Sequence, residues 1–170
     1  MTVLIHLAVV WLVGVTHQRC YQVLAVLRNN RSATLPQPPC KAMACSTDHG
    51  ASFGPAFFDR GLLSSNCQSG VTSTPEWLAV STPHGPVHAP CNFTIWIADA
   101  RSAAANCRAR ASNIWRPLAS LWPGPSAYSS LAHVPSRRAL VVAFERGHVT
   151  ECGKGGEIAM LSRSAALPSR

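Results

Sequence analysis

The chain has 170 residues, 47% of them apolar and 13% charged, with a formal charge of +8. That length holds one modest core and hardly two, and ordinary apolar content with a charge share well below the usual ~25% excludes charge-driven disorder. All but Lys41 and Lys154 of the 15 basic residues are arginine, a bias that GC-rich coding also produces. Composition alone is therefore equally that of a reading frame without evolved function.

The first element is the apolar run at residues 3–15, interrupted only by His6 and Gly14. It is too short for a transmembrane helix, which needs ~20 apolar residues. It matches the roughly 7–15-residue apolar region of a signal peptide, so residues 1–16 read as a targeting-like segment cleaved after Thr16. Its β-branched content also suits a buried strand. Residues 17–39 read as a polar, then proline-rich linker, with a short apolar patch at 23–27. Residues 40–170 are then one small domain.

Within that domain the expected elements are few. Residues 56–60 suit a turn or two of helix. The stretch 94–113, with Asn92 or Thr94 as cap and an alanine-rich middle, predicts the longest helix. Residues 116–135, broken by four prolines, read as loop. "ALVVAF" at 139–144 is the clearest strand, and residues 157–166 suit a final helix. The sum is a small α+β fold, α-leaning, with a large irregular Pro/Gly-rich fraction and no requirement for a stable structure. No true sequence repeat is visible.

Several constellations carry chemistry. Gly50-Ala51-Ser52-Phe53-Gly54 is a literal G-x-S-x-G, and Asp99 with His133 or His148 would complete the hydrolase order of serine, acid and histidine. Its flanks suit a loop better than a strand-to-helix elbow. His84, His88 and Cys91, with Cys67 as a distant fourth group, are zinc-ligand types, but Pro86 and Pro90 forbid the helix that would align the histidines. Gly147, Gly153, Lys154 and Gly155 miss the phosphate-loop spacing by one residue and lack its hydroxyl. The seven cysteines (20, 40, 45, 67, 91, 107 and 152) include no C-x-x-C and leave an odd thiol. Asn30 and Asn92 head glycosylation triplets. Arg101, Arg108, Arg110 and Arg116 form a candidate polyanion or nucleic-acid contact, although Arg110 would leave the helix face that Arg101 and Arg108 share.

The expected function is non-enzymatic: a secreted or membrane-associated interaction polypeptide, with no cofactor and no metal. The alternatives are polyanion binding through those arginines and serine hydrolysis through Ser52.

Overall fold

A computed structural model describes residues 7–12, 22–29, 40–85, 90–103, 114–147 and 159–168. These residues are dominated by strands: β1 (Leu7–Leu12), β2 (Gln22–Leu27), β3 (Cys40–Ser46), β4 (Phe57–Leu63), β5 (Gly70–Ser73), β6 (Trp77–Pro83), β7 (Cys91–Asp99), β8 (Arg116–Val134), β9 (Ala139–Arg146) and β10 (Ala159–Ala166). The α-leaning expectation is therefore wrong, and so is the expectation that no stable structure need form. The fold is antiparallel β.

Each strand pairs with its neighbour in sequence, in the order β1-β2-β3-β4 in one sheet and β10-β9-β8-β7-β6-β5 in the other. β8 does double duty. Its first part, to Pro125, pairs with β7, and its second part, from Ser126, pairs with β9. The chain is thus a succession of meanders, β1–β4, then β5 to the first half of β8, then the second half of β8 to β10. β5, which opens the second meander, lies against β1 and β8, which contribute to the meanders on either side. Meanders repeated side by side about their opening strands are the arrangement of blades in a β-propeller.

Packing explains why the strands were hard to see. The central strands of the middle meander, β6 and β7, are buried on both faces. Leu78, Val80, Trp96 and Ala98 face Leu24, Val26, Met43 and Leu62 of the first meander. On the other face Ala79, Phe93, Ile95 and Ile97 meet Leu131, Leu140, Val142 and Phe144, and the Phe93 and Phe144 rings stack at 4.0 Å. A strand buried on both sides loses the polar alternation that identifies a half-exposed one.

Of the helix expected at 94–113, residues 94–99 belong to strand β7 and 100–103 to a helical turn, where Asp99 Oδ1 accepts from the backbone N–H groups of Arg101 and Ser102, while 104–113 lie outside the described residues. Of the helix expected at 157–166, residues 159–166 are strand β10 and 157–158 lie outside the described residues; of the helical turn expected at 56–60, residues 57–60 belong to strand β4. The proline-broken loop at 116–135 is β8, whose pairing with β7 shifts register three times. Prolines are tolerated in strands at such irregularities, where a ladder hydrogen bond is already absent. The strand at 139–144 is present as β9. Among the described residues no helix is long and apolar enough to cross a membrane.

Candidate functional site

The register fixes which groups share an end of the stack. Gly70 pairs with Ser81, Cys91 with Pro125, and Ser126 with Arg146. All of these lie where β5 and the second half of β8 begin. The linker between β4 and β5 ties the first meander to this same end. Ser65 N–H donates to Pro83 O at 2.8 Å, and Arg28 Nε donates to Asn66 Oδ1 at 2.9 Å.

Charge gathers there. Lys41 is 1% exposed, and its ammonium donates to the backbone oxygen of Cys67. Burial, opposed by Cys67 and assisted by the Arg28 cation, pushes its pKa down to about 7. Cys67 is a buried free thiol pushed up by burial, with Lys41 and Arg28 pulling it down and Glu145 adding to the rise. Glu145 is thus electrically linked to the same cluster. Its Oε2 accepts a long 3.5 Å bond from the Tyr128 backbone N–H. The Tyr128 side chain is 44% exposed. Next to Glu145, the Arg146 guanidinium lies 4.6 Å over the Trp122 ring, and its buried Nε has no hydrogen-bond partner among the described residues.

Serines close the wall between β5 and β8. Ser129 Oγ donates to Ser81 O at 3.1 Å and accepts from Gly70 N–H at 3.0 Å. The end therefore gathers cations (Arg28, Arg146 and the buried Lys41), two carboxylates (Glu145 and the buried Asp59, opposite Lys41 in the register), one exposed phenol (Tyr128) and an aromatic platform (Trp122). Guanidinium and ammonium donors suit a ligand carboxylate.

No protein-family model matches the chain, and neither does any curated protein. Among solved structures, the chain is similar to the intramolecular trans-sialidase from Ruminococcus gnavus in complex with oseltamivir carboxylate. The match has a TM-score of 0.58 and 14% identity over 94% of this chain and 32% of that one. What the two share is the fold. The chain spans about a third of that protein's length.

The residues singled out in the sequence are scattered. Ser52 sits in an exposed turn after β3, its hydroxyl donating to Asp48 Oδ2 at 2.6 Å. Asp99 caps the turn after β7, while His133 lines a different cavity. The structure does not bring Ser52, Asp99 and His133 together, and His148 lies outside the described residues. Gly50, at φ +89, serves the Ser46–Asp48 turn, where Ser46 Oγ accepts from its N–H. His84 packs edge-on against Trp96 at 5.7 Å, Cys91 is disulfide-bonded and so offers no thiolate, and His88 is outside the described residues. Among the described residues no group of three or more His, Cys, Asp or Glu is placed to hold a metal ion.

Arg101 is exposed on the turn after β7, and Arg116 is exposed with its guanidinium 5.4 Å over Trp77. Arg108 and Arg110 are outside the described residues, as are Asn30, Gly153, Lys154 and Gly155. Gly147 closes the β9 end by donating to Pro125 O at 2.8 Å. Asn92 is half-buried and left-handed at φ 53, at a register shift of β7. Its sequon partner Thr94 is buried, with the hydroxyl bonded to Asn92 O.

Sequence reasoning missed Arg28, Lys41, Glu145 and Tyr128. The available signals were a lysine inside the apolar strand "CKAMAC" and an acid at the tip of the clearest strand. Neither says that three meanders bring them to one end.

Proposed function

We propose that this chain is a ligand-binding portion of a sialidase-like sheet stack and that its charged end takes a carboxylate-bearing sugar. The observation that carries this reading is the gathering of Arg28, Lys41, Glu145 and Tyr128 at the end where β5 and the second half of β8 begin. The likeness in fold to a trans-sialidase supports it. Sialidases use a tyrosine nucleophile, and Tyr128 is an exposed tyrosine beside a carboxylate. A nucleophile also needs an adjacent base. Glu145 meets Tyr128 through the backbone N–H rather than the phenol. The chain by itself is therefore read as a binder rather than an enzyme. Titration of the full chain with N-acetylneuraminic acid and with its methyl ester tests this. The acid is expected to bind at least tenfold tighter than the ester, with Arg28→Gln abolishing the difference. Equal affinities would remove the carboxylate reading.

An oxidising, secretory setting is proposed alongside. Its support is the disulfide engagement of Cys45 and Cys91, since such bonds persist outside the reducing cytosol. Cleavage after Thr16 would remove β1 and bare the edge of β2, so the secreted form is expected to keep residues 7–12. A mature mass that begins after Thr16 in a soluble, folded product would overturn this expectation.

A further inference from the structure

The opposite end of the stack holds a second feature, independent of the proposed sugar site. Where β6 and β9 begin and β8 and β10 end, a cavity of about 260 Å³ is lined by Glu76, Trp77, His133, Pro135, Arg138 and Leu167. That is several times the ~30 Å³ share of one water molecule and close to the small end of ligand clefts, roughly 300 Å³. Opposite charges line it: Glu76 and Arg138, which among the described residues form no ion pair with each other. Glu76 is instead oriented by Thr74, whose hydroxyl donates to Oε2 at 3.4 Å. The lining also includes apolar surfaces, the Trp77 ring, already engaged by the Arg116 guanidinium, and the side chains of Pro135 and Leu167.

Arg138 is held in place at a cost. Its backbone is left-handed, at φ 46 and ψ 43, after the single 3-10 turn Pro135–Arg137. A non-glycine residue there is uncommon and strained. The conformation is locked from both sides, since Arg138 N–H donates to Pro135 O at 3.1 Å and Leu167 N–H donates to Arg138 O at 2.9 Å. Glycine or asparagine would relieve the strain, and the arginine that stands there lines the cavity.

We propose that this cavity binds a zwitterionic amino acid with an apolar side chain. Its ammonium group goes to Glu76, its carboxylate to Arg138, and its side chain lies against Trp77, Pro135 and Leu167. A simple anion is disfavoured by Glu76 and a simple cation by Arg138. A neutral apolar molecule would leave both charges unmatched.

Isothermal titration of the full chain with L-phenylalanine, N-acetyl-L-phenylalanine and L-phenylalanine amide tests the assignment. L-Phenylalanine is expected to bind saturably, and blocking either charged group should weaken binding at least tenfold. Arg138→Gly, which tolerates the left-handed backbone, should erase the preference for the free carboxylate. Glu76→Gln should erase the preference for the free amine. In thermal melts Arg138→Gly, relieved of backbone strain, should melt no lower than the parent, and Glu76→Gln should melt as the parent does. The inference is overturned if L-phenylalanine shows no saturable binding at 10 mM (about tenfold above a millimolar Kd), if the blocked compounds bind as well, or if both variants bind all three compounds as the parent does.

Discussion

Lys41 is the least expected residue of the chain. An ammonium in the interior costs free energy that one hydrogen bond to the Cys67 carbonyl does not recover. Its folded pKa, about 7, lies below the ordinary 10.5. Between those values the unfolded chain holds the proton more often than the folded one, so stability rises with pH across that window and the penalty is greatest below pH 7. The buried thiols Cys40 and Cys67 act in the other direction. Their raised values mean that the unfolded chain loses its thiol protons first, and stability falls above about pH 8.5. Lys41→Met is therefore expected to raise stability at pH 7 by about 1–3 kcal/mol and to flatten the rise between pH 7 and 8.5. Urea melts at both pH values measure it; an unchanged slope would mean that Lys41 stays charged. A lysine inside an apolar strand was visible in the sequence, but its depth was not. The same six letters on an edge strand would put that ammonium in water.

At the scale of elements, β5 and β8 depend on a close approach. A Cβ at Gly70 would stand 2.6 Å from the Leu131 backbone N and 2.8 Å from the Ser130 backbone C. Backbone cannot give way as a side-chain tip can, so the meanders would have to separate. Gly70→Ala is expected to cost about 1–3 kcal/mol, read as a lower denaturant midpoint. A change under about 0.5 kcal/mol, the usual range of surface substitutions, would show that the approach is not tight. This contact joins residues far apart in sequence, and no local signal marks Gly70 out from the other glycines. β7 teaches a related lesson. The alanines after residues 94–99 favour a helix through them, yet burial on both faces suits strand pairing. β9 was legible because "ALVVAF" is a short apolar run with adjacent valines, and the structure adds what the letters do not show: Leu140, Val142 and Phe144 are buried while the residues between them are half-buried. Tertiary burial overrode local preference in the one case and agreed with it in the other.

For the whole molecule, stability rests on two apolar layers on either side of the middle meander and on covalent links at Cys45 and Cys91. Reduction should lower the melting temperature, because it frees the unfolded chain. A loss of about 2–5 kcal/mol is expected on adding a thiol reductant at constant pH. An identical melt would show that the links carry no constraint. The sequence by itself determined the limit to one modest core, the arginine-borne charge, the cysteine inventory and the strand at 139–144, whose short apolar run needs no neighbour to be recognised. The propeller-like order, the two charged ends and the separation of Ser52 from Asp99 and His133 were decided only by the tertiary structure. The physical reason is that antiparallel sheets stacked face to face bury both sides of their strands. What identifies such a strand is its neighbours in space, which the order of letters does not record.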